Sequence, residues 1–228
     1  MINLYTGHDD RETVGTHVFI QSVLENTTAP VSITPLHKPM LHRAFGGDVP
    51  EGTNAFTMSR FLIPFLQGWQ GTATFMDGAD MLCRDDLAEL EQLRDPYKAV
   101  QVVQHDYRTS AKRKYVGTSM ESDNLDYRRK NWASVMLINC AHFAWRKMNP
   151  STLLKGNLLD ALSFSWLPDS YIGSLPRKWN WLVDEYGPSD DAHVLHWTQG
   201  VPMFSAYSHS PHSDEWFRML NKVTYAAR

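Results

Sequence analysis

The stretch FMDGADMLCRDDLAEL, residues 75–90, determines how this sequence is interpreted. An apolar run at 72–76 leads into Asp77-Gly78-Ala79-Asp80, and a charged helix start follows. Ligands bind at such strand ends in open α/β sheets. Two carboxylates this close, on a turn opened by glycine, can face one hard cation such as Mg²⁺ or Mn²⁺. Spacing alone does not favour this over the alternative that the acids cap the turn and the next helix.

Short apolar runs, each too brief for a helix, recur on both sides of this stretch. They lie at residues 2–6, 31–36, 72–76, 99–103, 135–138 and 192–195. Segments with helical spacing separate the first three runs, and Pro64 is expected to kink or shorten the second helix near Arg60. The alternation predicts an α/β fold with a mostly parallel sheet flanked by helices.

Composition limits the classes of protein that fit. With 228 residues, 43% of them apolar, the chain can bury a substantial core, and no Gly/Ser linker marks a boundary, so we expect one domain over 1–228. Residues 205–228 are expected to form a helical appendage packed on it. The net charge of −3 does not favour nucleic acid or an anionic membrane as a partner; a small or locally charged ligand fits better.

Cysteine use and hydropathy suggest a compartment. The two cysteines, Cys83 and Cys140, are outside any CxxC spacing, which argues against a disulfide framework or a zinc knuckle and suggests a reducing environment. No stretch approaches the roughly 20 apolar residues of a membrane span, and the first residues do not resemble a secretion signal. The expectation is a cytoplasmic protein, whose oligomeric state the sequence leaves open.

Polar residues also follow the first and last of the predicted strands. Thr6 and Gly7 lead into His8-Asp9-Asp10, a polar end that suits a nucleoside, although Asp9 with Glu12 also resembles a helix-capping pair. The segment HVLHWTQGVPMF brings His196 to a loop, and histidine is a common ligand of borderline cations. Neither GxGxxG after the first strand nor GxxxxGK[ST] occurs, which disfavours dinucleotide-dependent redox chemistry and P-loop hydrolysis.

Residues 104–131 are basic within an acidic protein. A solvated loop between strands is the simpler interpretation, because charge clusters usually face water. The alternative is a flap that covers phosphates.

These segments, in this order, resemble the retaining glycosyltransferases of family eight and their bacterial relatives over about residues 2–204. The resemblance implies a Rossmann-like sheet, the A-type glycosyltransferase fold. NAFTMSRFLIPFL (54–66) resembles the family's T-x-x-R-F-x-x-P helix, whose arginine reaches the sugar donor, and this implies that role for Arg60. DGADMLCRDD resembles the family's metal-binding D-x-D, with Asp77 and Asp80 as its acids. Two residues separate the acids here, where the family has one.

The last part of the resemblance concerns the diphosphate. His196, in HWTQG, resembles the family's third metal ligand, and Gly200 lies in the loop that approaches the diphosphate. The family's lysine further along this loop is absent, since residues 201–204 carry no cation. Phosphate neutralisation then falls to the metal, to Arg60 or to the basic stretch, where Lys114 and Arg129 are the candidates.

Two more segments resemble the sugar-facing side of the family. NWASVMLIN (131–139) resembles a strand with small residues that faces the donor sugar, here Ala133 and Ser134. WLPDSYIGSLPRKWNWL resembles the segment that bears a catalytic-side carboxamide or acid, here Asp169 and Ser170.

The resemblance implies a metal-dependent glycosyltransferase that passes a sugar from a nucleotide-diphosphate sugar, of the UDP type, to a saccharide or other hydroxyl acceptor. It implies Mn²⁺ or Mg²⁺ as cofactor and retention of anomeric configuration. Asp169 is the candidate carboxylate that would stabilise positive charge on the sugar. The expected metal ligands are Asp77, Asp80 and His196, and the expected substrate-binding residues are Thr6, Gly7, Asp9, Arg60, Asp77, Gly78, Ala133, Ser134, Ser170 and Gly200.

Two alternatives stay open at this point. A sugar nucleotidyltransferase shares this kind of sheet and acid pair. A Gly-rich basic loop after the first strand would favour that class, but residues 6–12 contain one glycine and are acidic. A catalytically idle nucleotide-sugar or carbohydrate binding module also fits, given the missing lysine and the altered acid spacing.

Overall fold

The computed structural model describes residues 1–45 and 54–225. Over these residues the strands are β1 Ile2–His8, β2 Val31–His37, β3 Thr72–Met76, β4 Met81–Cys83, β5 Val100–Val103, β6 Arg113–Lys114, β7 Ser122–Asp123, β8 Val135–Asn139, β9 Ile172–Leu175, β10 Trp181–Leu182 and β11 Val194–His196. The α-helices are α1 Thr13–Asn26, α2 Lys38–Phe45, α3 Ile63–Leu66, α4 Leu87–Glu91, α5 Pro150–Leu153, α6 Leu158–Leu162, α7 Val183–Tyr186 and α8 Ser213–Thr224. Short 3-10 helices lie at Asp10–Glu12, Ser59–Leu62, Trp132–Ser134, Phe143–Lys147, Asp169–Tyr171, Arg177–Asn180 and Ser205–Tyr207.

The central sheet has the strand order β2-β1-β3-β8-β5-β9. β1 runs parallel to β2 and β3, and β5 runs parallel to β9, whereas β8 is antiparallel to both of its neighbours. The predicted mostly parallel α/β sheet is therefore confirmed, with β8 reversed between its two parallel parts. Because β8 is reversed, it begins at the edge of the sheet where β1 and β3 end.

Both faces of this sheet are covered, as expected for largely parallel strands. Alternation along β8 shows the division: Met136 and Ile138 belong to one buried cluster, and Val135 and Leu137 belong to another on the opposite face. Burial on two faces explains why the strands read as continuous apolar runs in the sequence.

The second predicted helix is shortened, as Pro64 suggested. A 3-10 helix, Ser59–Leu62, passes directly into α3, which has only four residues and carries Pro64 in its first turn. Proline is tolerated there because the amide it lacks would have no helical partner. The 3-10 turn carries Arg60 and buries it.

A smaller sheet, β10-β11-β4, adjoins the main one and carries the last predicted strand. The C-terminal helix α8 packs beside it, with Trp216 fully buried among Val18, Leu82 and Trp197. Residues 226–228 of the expected appendage lie outside the described residues. Within the described part of the chain, no helix has the length and apolar character needed to cross a membrane.

Candidate active site

The turn Asp77-Gly78-Ala79-Asp80 joins β3 to β4 and is fixed to both of its neighbouring strands. Gly78 has φ +77°, and a Cβ there would lie 1.8 Å from Thr6 Oγ1, so the position needs glycine both for its conformation and for the close approach of β1. The amide of Asp77 donates to the carbonyl oxygen of Ser134 at 2.9 Å. The turn therefore places its two carboxylates at the edge of the sheet with little freedom.

Asp77, Asp80 and His196 come together at this edge, and each offers a ligand atom within 4.8 Å of the other two. His196 Nε2 lies 3.4 Å from Asp80 Oδ2, and the imidazole is only 2% exposed. The second oxygen of Asp80, Oδ1, is buried and accepts no hydrogen bond from the described residues. Two carboxylates and one imidazole form a donor set that fits Mn²⁺ or a similar divalent cation, and the orphaned oxygen supports that fit.

The small sheet positions His196. β11 pairs antiparallel with β4, so that His196 is the register partner of Met81, the residue after Asp80. Asn180 then fixes the ring, because its Oδ1 lies 2.9 Å from His196 Nδ1. The amide nitrogen of Asn180 donates to Ser134 Oγ at 2.9 Å, which ties the histidine back to the main sheet. Such partners of a ligating histidine set the direction of its other nitrogen.

The electrostatics of the cluster favour binding of a cation. Burial raises the pKa of Asp77 to about 6, although the Arg60 guanidinium opposes the shift. Burial acts on Asp80 in the same direction, but the neighbouring His196 holds the pKa of Asp80 below its usual range. Burial and the Asp80 carboxylate raise the pKa of Glu12, whose Oε1 has no partner among the described residues. The raised pKa values of Asp77 and Glu12 show that negative charge is costly at these two carboxyl groups, and a bound cation would offset that cost.

Arg60 is held rigidly against this cluster. Its Nη1 lies 2.6 Å from Asp77 Oδ1 and donates to the Ala133 carbonyl oxygen at 2.7 Å, and its Nε donates to the Thr57 carbonyl oxygen at 2.8 Å. The guanidinium lies over the Phe75 ring, 4.9 Å from its centre. Arg60 therefore links the 3-10 turn, the acidic turn and the start of β8.

A cavity of about 230 Å³ opens onto these groups. Of the residues expected from the sequence, those that line it are Arg60, Asp77, Asp80, Lys114, Ala133, Ser134 and His196. Further polar lining comes from residues that the sequence did not single out as ligands, namely Asn54, Thr57, Tyr115, Lys130, Asn131 and Thr198.

The residues at the end of β1 that were expected to bind substrate, Thr6, Gly7 and Asp9, pack against the elements that form the site. Thr6 is fully buried beneath the acidic turn. A Cβ on Gly7 would lie 2.3 Å from the Phe56 ring, so glycine allows the chain before Arg60 to approach β1. Asp9 binds Arg11 Nη2 at 2.6 Å and accepts from the Ala55 amide at 2.8 Å. None of these three residues is among those that line the cavity.

Asp169 and Ser170 are not brought to the cavity. The Asp169 side chain is 76% exposed at the start of a 3-10 helix and pairs with Arg129 at 2.6 Å. This guanidinium holds the pKa of Asp169 below its usual range. The Ser170 carbonyl oxygen accepts from Lys98 Nζ at 2.9 Å. Neither residue is among those that line the cavity.

Gly200 also lies outside the cavity lining, and a Cβ there would lie 2.3 Å from the Tyr207 ring. The loop after His196 approaches the cavity through Thr198 instead. Glycine at position 200 thus allows this loop to pack closely against Tyr207.

The basic stretch 104–131 separates into surface and site residues. Lys114 and Lys130 line the cavity, whereas Arg113 pairs with Asp123 at 2.7 Å across the β6–β7 hairpin. Burial lowers the pKa of Lys114, while the Asp80 carboxylate opposes this shift. The stretch therefore supplies positive charge to the cavity through two of its members, and the rest of its charges largely face solvent.

One wall of the cavity is apolar. Leu158, Leu159 and Leu162 are on one side of α6, at spacings of three and four residues, and all three line the cavity together with Leu125. Leu159 is 51% exposed and Leu125 is 69% exposed. Single exposed leucines are ordinary, but two exposed leucines that line one cavity beside Leu158 and Leu162 form an apolar surface that a ligand can cover.

This fold is the GT-A glycosyltransferase fold. The galactosyltransferase LgtC, solved in complex with donor and acceptor sugar analogs, superposes with a TM-score of 0.66 at 13% identity, over 100% of this chain and 98% of that one. GlyE of Streptococcus pneumoniae gives 0.63 at 14% identity, over 96% of this chain and 61% of its own. WbbM, a bifunctional glycosyltransferase, gives 0.65 at 14% identity over 96% of this chain, which spans about half (49%) of WbbM. At these identities the likeness is one of fold.

Protein CDI of Arabidopsis thaliana is 34% identical over 229 residues, which cover 96% of this chain and 86% of that protein. The chain therefore belongs to the family of Protein CDI. No protein-family model matches it.

Proposed function

We propose that this protein is a metal-dependent glycosyltransferase of the family-eight type, which transfers a sugar from a UDP-sugar with retention of configuration. One observation carries the proposal: Asp77, Asp80 and His196 converge inside a cavity at the edge of a GT-A sheet, with Arg60 against them. Ligands bind at this position in open α/β sheets.

Asp77, Asp80 and His196 would hold the cation, Mn²⁺ or Mg²⁺. When bound, it offsets the charge that develops on the leaving nucleotide diphosphate. The imidazole ligand favours Mn²⁺ over Mg²⁺, which prefers oxygen ligands.

The chain's own positive groups complete the diphosphate site. Arg60 is always charged and held by two carbonyl oxygens, so it presents guanidinium donors at a fixed place. Lys114 takes the part of the lysine that is missing after Gly200, because it lines the same cavity as the two acids. Both groups would bind the donor before reaction and hold it in place during transfer.

The small residues at the start of β8 make room for the sugar. Ala133 and Ser134 line the cavity, and their carbonyl oxygens are occupied by Arg60 and Asp77. The side chains there are short, which leaves space beside the cation ligands. We place the transferred sugar against them.

The leucine wall of α6 favours an acceptor with an apolar body. A nucleotide, a diphosphate and a sugar present mainly polar groups, which suit the opposite side of the cavity. If the acceptor hydroxyl is carried on an alkyl or aromatic group, that group would cover Leu159 and Leu125, which are otherwise exposed to solvent.

We further propose that residues 1–228 act as one catalytic domain, with 205–228 as its packed appendage. Cys83 and Cys140 are free and buried, in keeping with a cytoplasmic site of action.

A nucleotide-sugar screen tests the proposal. The purified protein is heated with UDP-, GDP- and ADP-sugars, with and without Mn²⁺, because a ligand that binds the native state raises its stability. The expected result is that one UDP-sugar raises Tm only when Mn²⁺ is present, and that UDP is then released slowly to water and faster with an acceptor. Stabilisation without any release of UDP would instead identify a binding module. Release of pyrophosphate from a nucleoside triphosphate and a sugar phosphate would identify a nucleotidyltransferase.

A further inference from the structure

A second cluster of metal-binding side chains lies at the ends of β1 and β2. His8 and His37 are the last residues of these parallel strands and are register partners of each other. Their rings meet edge to face, with centres 5.1 Å apart. Asp10 begins the 3-10 helix that follows β1 and faces both of them.

The distances in this cluster suit one small cation. Asp10 Oδ1 lies 3.5 Å from His8 Nε2 and 3.1 Å from His37 Nε2, and the ligand atoms of the three residues all lie within 4.8 Å of one another. Metal–ligand bonds of about 2.0–2.1 Å at a tetrahedral zinc place neighbouring ligand atoms roughly 3.3 Å apart. Both separations from Asp10 are within a few tenths of an ångström of that value.

The orientation of His8 is also that of a metal ligand. Its other ring nitrogen, Nδ1, lies 3.3 Å from Thr16 Oγ1 on α1, so Nε2 is the nitrogen that faces the cluster. A hydrogen bond to the non-ligating nitrogen is the usual way in which proteins aim a metal-binding histidine.

We propose that His8, Asp10 and His37 form a second metal site, specific for a borderline transition metal of the Zn²⁺ class. Two imidazoles and one carboxylate are a zinc donor set, and the fourth position is open because the Asp10 side chain is 73% exposed. This site has two histidines and is open to solvent, whereas the acidic site has one histidine and is buried. Bound metal would hold together β1, β2 and the 3-10 helix that leads into α1.

The test uses the full chain and Co²⁺, whose absorption reports tetrahedral nitrogen and oxygen ligands, with Zn²⁺ as competitor. To silence the acidic site, the parent is Asp80→Asn. The expected result is one equivalent of Co²⁺ bound and displaced by Zn²⁺, with a rise in Tm on addition of Zn²⁺. A second substitution in this parent, either His37→Gln or Asp10→Asn, should weaken Zn²⁺ binding by at least about 100-fold and remove the rise in Tm.

His209→Gln is the matched control, since His209 is an exposed histidine outside the cluster, and it should leave Zn²⁺ binding unchanged. Asp10→Asn changes only an exposed side chain, so the test does not depend on whether the His37 variant folds. Unchanged Zn²⁺ affinity in both cluster variants, or an equal loss in the His209 control, would overturn the proposal.

Discussion

Asn180 Oδ1 lies 2.9 Å from His196 Nδ1, and this contact leaves the opposite nitrogen of the ring, Nε2, facing Asp80. Asn180 is fully buried and also donates to Ser134 Oγ, so one amide connects the small sheet to the start of β8. The geometry of the proposed cation site therefore depends on a residue that does not itself bind the cation.

Replacing Asn180 should loosen the cation site without removing a ligand. Asn180→Ala is expected to weaken Mn²⁺ binding by roughly 10–100-fold, the usual effect of losing the hydrogen-bond partner of a ligating histidine. It should also lower stability by about 1–3 kcal/mol, since it leaves buried polar groups unpaired. Electron paramagnetic resonance titration of Mn²⁺ measures the first effect and urea unfolding the second. Asn139→Ala, at the far end of β8, is the control. Destabilisation with normal Mn²⁺ affinity would show that Asn180 acts on the fold alone.

Lys114 should contribute to donor binding. Lys114→Gln keeps the length of the side chain but removes the charge, and we expect the Kd for UDP with Mn²⁺ to rise by about 10-fold or more. Lys112→Gln is the matched control, because Lys112 lies two residues away and is exposed. Calorimetry on both variants measures the difference. Equal affinities of the two variants for UDP would show that Lys114 does not bind the donor and only packs beside Tyr115.

Leu159 should select the acceptor. With octyl glucoside and methyl glucoside as probe acceptors, we expect transfer to the octyl compound to be faster, and Leu159→Asn to lower that preference by about 10-fold, the value of one to two buried methylene groups. The readout is the ratio of sugar transferred to UDP released. A preference for the methyl compound, or an octyl preference that survives in the variant, would contradict an apolar acceptor site.

Asp169 provides a test of the catalytic role that the family resemblance implied. Since its carboxylate is exposed and bound to Arg129, we expect Asp169→Asn to change turnover by no more than about two-fold and to leave donor affinity unchanged. UDP release under saturating donor measures turnover. A fall of roughly 10²-fold with normal donor affinity would instead restore Asp169 as a group that stabilises the transition state.

Strand positions and the acidic turn could be read from the sequence because each depends on local patterns. The runs at 2–6, 72–76 and 135–138 are mostly buried on both faces, so each is largely apolar over its length. The reversal of β8 could not be read, because apolar periodicity is the same in either strand direction. β9 at Ile172–Leu175 was not predicted, since its Gly-Ser pair interrupts the apolar run.

The site shows a similar division. Asp77, Asp80, His196 and Arg60 stand in patterns that the resemblance covers, and the structure brings them together. Asn180 lies in the same sequence segment as Asp169, and only the pairing of β10 with β11 reveals that it contacts His196. Its contacts are set by tertiary packing, which spacing along the chain does not encode.

The dependence of donor binding on the cation tests the central claim most directly. Calorimetry of UDP binding is run with Mn²⁺ and with EDTA on the parent, on Asp80→Asn and on Asp214→Asn, an exposed acid of α8 that serves as control. We predict that Mn²⁺ tightens UDP binding to the parent and to the control by about 10-fold or more, and that Asp80→Asn loses this gain while its fold stays intact. Equal UDP affinity with and without Mn²⁺ in the parent, or an undiminished gain in Asp80→Asn, would contradict a cation-held diphosphate at this site.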